Sequence, residues 1–200
     1  MRSAIERRVA ALPEDSAFTS KDFADVASAE TSRRVLKDLA DEGTICRAAR
    51  GLYYKPRYSK LLGAPVPVDV DAAAHAVARS RRWTIAPSGQ TALNRLGLDT
   101  QVPATFEYIS DGPYADMVIG GVPVRFKHTA NKDVTNLSPA TLLVVQALKA
   151  LGRGRASEEL TRRIASRLSE GEKRALLDET LQATAWVRES ARAIAEGAKG

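Results

Sequence analysis

Residues 28–60, SAETSRRVLKDLADEGTICRAARGLYYKPRYSK, constrain the fold of this chain more than any other stretch. Ser28 is a good helix N-cap, and Glu30 sets negative charge at the positive end of the helix dipole. Val35, Leu36, Leu39 and Ala40 form one apolar stripe at helical spacing, and Gly43 supplies the stop. The period then changes. Thr44 to Arg47 and Leu52 to Tyr54 are short β-favouring runs, joined through Ala48-Ala49-Arg50-Gly51, whose glycine permits a tight reversal.

Two further short helices are expected upstream. Ser3 to Leu12 turns Ile5, Val9 and Leu12 inward and ends at Pro13. Ser20 is expected to cap a helix through Val26 that buries Phe23. Three helices followed by a basic hairpin are the plan of a winged helix-turn-helix, which inserts its third helix into the major groove and lays the hairpin along the backbone. The charges fit that plan: Arg47, Arg50, Lys55, Arg57 and Lys60 lie in a span without Asp or Glu. With the stripe inward, Glu30, Arg33, Arg34, Lys37, Asp38 and Asp41 face outward, Ser32 turns inward, and Thr31 sits at the edge near the N-terminus. The expected contacts to double-stranded DNA are therefore Ser28, Thr31, Arg33, Arg34, Lys37, Arg47, Arg50 and Lys55. In the competing reading, Arg33, Arg34 and Lys37 only solvate an exposed helix, balanced by Asp38, Asp41 and Glu42.

The rest of the 200 residues reads as α+β: an N-terminal winged helix-turn-helix over 1–60, a linker over 61–68, and a mixed domain over 69–200 with a small antiparallel sheet and several helices. Gly63, Pro65 and Pro67 make the linker poor in helix. Asp69 to Arg82 is an alanine-rich helix, Pro87 and Ser88 open another, and Thr105 to Ser110 alternates as a strand. Gly120-Gly121 signals a hairpin between Met117–Ile119 and Val122–His128, with Val122, Val124, Phe126 and His128 on one face. Ser138 caps a helix to Leu151 that is apolar nearly all round and hence buried.

A net charge of +6 attracts polyanions. Cys46 is the sole cysteine and is read as a buried strand thiol. No run reaches the roughly eighteen apolar residues a membrane span needs, and Arg2, Glu6, Arg7 and Arg8 break up the start of the chain, so the expected location is the cytoplasm. Signals of catalysis are weak. His75 and His128 are far apart and read as structural, Ser88-Gly89 lacks the frame of a nucleophile elbow, and phosphate-loop and dinucleotide fingerprints are missing. Asp111, Asp116 and Asp133 lie across turns and read as strand caps rather than metal ligands. No catalytic residue, cofactor or metal is assigned.

Five blocks in order, RGLYYKP (50–56), PSGQTALNRLGLDTQVPA (87–104), YISDG (108–112), FKHT (126–129) and VVQALKALG (144–152), resemble the AbiEi-like antitoxins of type IV toxin–antitoxin systems, an abortive-infection (phage defence) family. The resemblance implies an N-terminal winged helix that binds operator repeats and represses its own operon. It also implies a C-terminal domain that neutralises a cognate nucleotidyltransferase-like toxin. Two alternatives accompany it: a protein that chiefly binds the toxin directly, and an enzyme that reverses the toxin's modification of RNA. The resemblance names no catalytic residue in the 87–104 block, which reads as a turn, a helix and an exit strand with Asn94, Asp99 and Gln101 holding the loop.

Overall fold

A computed structural model describes residues 2–61, 63–129 and 137–197. The chain is mixed α+β, with small antiparallel sheets and several helices. It divides into two compact units, residues 1–83 with 117–124, and residues 84–116 with 125–200.

In the first unit, α1 (Arg2–Ala11) leads to β1 (Ala17–Thr19) and a single 3-10 turn (Ser20–Phe23). The expected helix from Ser20 to Val26 is thus shortened, and its cap is Thr19. The Thr19 hydroxyl accepts from the Lys21 N–H, and the Asp22 carboxylate accepts from the Thr19 N–H at 2.7 Å. α2 (Ala29–Asp41) starts at Ser28, as read, and stops at Gly43, whose φ is +77°. There the Gly43 N–H donates to Ala40 O and the Thr44 N–H to Leu39 O, a Schellman closure only glycine enters without strain. β2 (Cys46–Ala49) and β3 (Leu52–Tyr54) follow, and the sheet order is β1-β3-β2.

Ile5, Val9, Phe18, Phe23, Val35, Leu36, Leu39, Ile45 and Tyr53 build one core, with Phe18 and Phe23 edge-on at 5.6 Å. Ser32 is fully buried, in keeping with its inward reading, and its hydroxyl has no hydrogen-bond partner among the described residues. Cys46 is half-buried, not buried. Burial, then contact with Cys46, pushes the neighbouring Tyr54 phenol up to about 12.

Beyond the β4–β5 ribbon (Tyr58–Ser59 and Ala64–Pro65), α3 (Val70–Arg81) packs on β1 and β3. The compact units therefore do not follow the expected divisions at 60 and 68. The reason is the helix's small apolar face: Ala73, Ala74, Ala76, Val77 and Ala78 are buried and let its backbone approach the sheet closely.

β6 (Ile85–Pro87), β7 (Phe106–Ser110), β8 (Ala115–Ile119) and β9 (Val122–His128) form a sheet in the order β6-β7-β9-β8. Gly120 and Gly121 turn β8 into β9 with φ of +56° and +85°, the two positive values a tight primed hairpin turn requires. Between β6 and β7 lies α4 (Gly89–Arg95); the described residues end with α5 (Pro139–Leu151), α6 (Glu158–Ala165), α7 (Glu170–Glu179) and α8 (Ala185–Glu196). α5 is the hub, packing on α4, α7 and α8 through Val144, Val145, Ala147 and Leu148.

Glu179 ties the end of α7 to the start of α5, accepting from the Ser138 N–H at 2.8 Å and the Ser138 hydroxyl at 2.9 Å. Partial burial works against its ionisation, but donors from Thr141 and Ser138 outweigh it and hold the carboxyl below its usual 4.5. A depressed carboxylate stabilises the fold above its unfolded pKa, and that contribution is lost as pH falls through the folded one. Glu179→Gln is expected to reduce the loss of stability below pH 4.5 and to cost about 1 kcal/mol at neutral pH. Urea midpoints measured against pH for both proteins check this; parallel curves would contradict it.

Candidate nucleic-acid interface

The α2 N-terminus is self-satisfied. The Ser28 hydroxyl accepts from the Thr31 N–H at 3.2 Å and donates to the Thr31 hydroxyl at 2.9 Å. Both residues thus serve first as the cap that fixes where α2 begins. Along the exposed side of α2, Arg33 and Arg34 point to solvent and form no ion pair among the described residues. Lys37 differs: its ammonium meets Asp41 at 2.6 Å, one helical turn on, and that carboxylate raises its pKa. Exposed pairs of this kind are weak and readily exchanged for another anion.

Acidic residues around this surface are largely occupied. Glu42 is held by Arg2 at 2.6 Å, and Asp25 by Arg8, an interaction that also lowers the Asp25 pKa. Glu30 and Asp38 lie on α2 without a close ion pair or hydrogen bond among the described residues, Asp38 acting on Lys37 only through its charge, so the helix is not free of negative charge.

In the β2–β3 hairpin Arg50 sits exposed in the turn, next to Gly51 at φ +74°. Arg47 bends back along its own strand, Nε donating to Ala49 O at 3.3 Å. The ladder between β2 and β3 shifts register between Arg47 and Ala49, which is a bulge. Ala48, at that bulge, accepts a hydrogen bond from the Gly120 N–H at 2.9 Å. A Cβ on Gly120 would come within 2.7 Å of Val68 Cγ1, so only glycine brings its N–H here without displacing Val68. The β8–β9 turn thus braces the hairpin behind Arg50. Sequence reading missed this brace because nothing in residues 44–54 announces a partner seventy positions away.

Lys55 has a different place from the one read for it. Its ammonium donates to Ala10 O at 2.6 Å and Leu12 O at 2.7 Å, covering the carbonyl end of α1. Arg57 pairs with Asp15 at 3.3 Å. Of the five cations in that span, Arg50 and Lys60 are exposed without an ion pair or hydrogen bond among the described residues, and of the two only Arg50 lies in the β2–β3 turn.

Elsewhere the polar groups settle into local bonds. Asn94 Nδ2 donates to Asp99 O and Gln101 O, as expected for the 87–104 loop. Asp111 accepts from the Thr84 N–H at 2.8 Å, and Asp116 pairs with Arg125 at 3.0 Å. Asp133 lies outside the described residues. His75 Nδ1 is 2.9 Å from Asp71 O, and His128 Nδ1 is 2.9 Å from Gly112 O. Among the described residues no cluster of His, Cys, Asp or Glu is arranged to hold a metal ion, and no helix is long and apolar enough to cross a membrane.

Residues 4–176 match a family of unknown function, DUF6088. The chain belongs to that family. The match takes in both compact units, from α1 to α7. No curated protein matches the chain.

The position of Lys55 makes a specific prediction. Lys55→Met keeps the aliphatic stem and removes the ammonium, so stability should fall by about 1 kcal/mol while any affinity for duplex DNA keeps its salt dependence. Urea denaturation and a salt titration measure the two separately. A shallower salt slope with unchanged stability would return Lys55 to the binding surface.

Proposed function

We propose that the first unit is a winged helix-turn-helix that binds double-stranded DNA, with α2 as the recognition helix and the β2–β3 hairpin as the wing. The observation that carries this reading is the pairing of two exposed, unengaged arginines on α2, Arg33 and Arg34, with a third, Arg50, in the turn of a braced hairpin. A helix offers base-reading side chains to the major groove, and a hairpin turn offers a cation to phosphate. The capped start of α2 supports the reading too, since its first turn is rigid and places Thr31 and Arg34 at the end of the helix that meets base edges. Lys37 joins by exchanging Asp41 for phosphate, whereas Lys55 is left to its structural place.

The resemblance to AbiEi-like antitoxins supplies the biological setting. On that reading the protein occupies operator repeats, represses its own operon and neutralises a nucleotidyltransferase-like toxin, acting in the cytoplasm as part of a phage-defence system. Neutralisation is assigned to the second unit, built around α5, and needs no catalytic residue or cofactor there.

DNA binding is tested by titrating the full chain against duplex in rising salt. Log affinity should fall with log salt at a slope of about −0.9 for each phosphate contacted. Arg34→Ala should cost about 1–3 kcal/mol on the operator and little on unrelated duplex, while Arg50→Ala should weaken both alike. A flat salt response would end the reading, and equal losses from both variants would remove α2 from the groove.

Separation of the two activities is tested in cells that express a nucleotidyltransferase-like toxin encoded beside this protein's gene, which the reading requires to exist. The Arg33→Ala/Arg34→Ala double variant, at matched protein level, should still rescue growth while losing repression of an operator-driven reporter. Loss of rescue by this folded variant would move neutralisation into the first unit.

A further inference from the structure

Behind the hairpin turn the first unit holds a second basic feature. A cleft of about 190 Å³ is lined by three cations, Lys21, Arg50 and Arg81, and by the hydroxyl residues Thr19, Ser20 and Ser80. Among the described residues no acidic side chain lines it. The nearest acid in sequence, Asp22, is engaged at 2.7 Å by the Thr19 N–H and at 3.4 Å by Arg79 Nε.

A larger cavity of about 370 Å³, lined by α1, β1 and α3, lacks this character. Its arginines are already matched, Arg8 with Asp25 and Arg79 with Asp22, and Asp22 itself lines it.

Two arrangements prepare the smaller cleft for an anion. The end of α3 would ordinarily turn carbonyl oxygens, and hence negative potential, toward a ligand. Here the Lys21 ammonium donates to Ser80 O at 2.6 Å, so the carbonyl at the cleft wall is covered by a positive charge. The Arg81 guanidinium lies 4.6 Å from the centre of the Trp83 ring. That stacking restrains its rotamers and leaves N–H groups for an oxygen ligand, lowering the entropy lost on binding. Arg50, also part of the lining, is exposed.

We infer that this cleft is a phosphate site, which seats a backbone phosphate of the DNA bound by the hairpin and so extends the contact from β2–β3 to the end of α3. The inference rests on the DNA-binding reading for the identity of the ligand, and on the cleft's own chemistry for its class. Contacts of this kind are blind to base sequence and contribute to affinity through counterion release.

The experiment uses the full chain and two probes: a 20-base-pair duplex of unrelated sequence, and inorganic phosphate. Arg81→Gln and Lys21→Gln, each checked by circular dichroism, should each make the salt slope on the duplex shallower by about 0.9. Arg162→Ala, which removes an exposed partner of Glu158 on α6, should leave the slope unchanged. If the wild type binds duplex and both cleft variants keep its slope and affinity, the cleft proposal is overturned and DNA binding by α2 and the hairpin stands. If the wild type binds no duplex, the phosphate titration decides. Amide shifts at residues 19–21, 49–51 and 80–81 that vanish in the Arg81→Gln/Lys21→Gln double variant would establish the cleft as a site for a free phosphate group. Their absence would overturn it.

Discussion

The hydrogen bond from the Gly120 N–H to Ala48 O fixes more of this molecule than its modest energy suggests. A two-stranded hairpin on its own is marginal in water. β2–β3 is steadied by β1 along one edge and by the β8–β9 turn at its bulge, where the register shift exposes Ala48 to an outside donor. Val68 Cγ1 leaves no room for a side chain at Gly120, so the contact depends on one glycine with a positive φ. The proposed wing is therefore held in place by a segment from the middle of the chain.

Charge is distributed by the same logic of internal use. The net charge of +6 says how many cations are in excess, not where they are free. Arg2, Arg8, Arg57 and Arg79 meet carboxylates, and Lys55 covers the carbonyl end of a helix. Among the described residues, the exposed cations of the first unit left without an ion pair or hydrogen bond include Arg33, Arg34, Arg50, Lys60 and Arg82; of the cleft cations, Arg81 lies over the Trp83 ring and Lys21 is held by Ser80 O. A count of basic residues therefore does not say how many cations are free to meet a ligand, and Lys55, bonded to Ala10 O and Leu12 O, is the clearest instance.

Local features of the fold were legible from the sequence because each has a local cause. Ser28, the Val35–Leu36–Leu39 stripe and Gly43 define α2 through capping, period and a left-handed stop, and all three act within one element. Gly120-Gly121 defined its turn, and Ser32 its burial, for the same reason. Features set by distant packing were not legible. The helix expected from Ser20 collapsed to one 3-10 turn, because Thr19 with Asp22 completes a capping box one residue early. α3 looked like the opening of the second domain, since an alanine face fits any sheet and names none. Of the candidate site, the unengaged arginines were on the page in the sequence, whereas which cations were already spoken for was not: an ion pair such as Arg57–Asp15 joins residues forty-two positions apart without any periodic trace.

The first unit draws residues from two separate stretches of chain, 1–83 and 117–124. This has a consequence for how such a protein changes over generations. A winged helix that ends cleanly at a linker is a cassette, and a single crossover grafts it onto a new partner. Here a crossover near residue 83 would leave Gly120 with the old gene and deliver a hairpin without its brace. Exchange by shuffling is thus penalised, and the two units are bound to be inherited as a pair, drifting together in sequence instead of being traded.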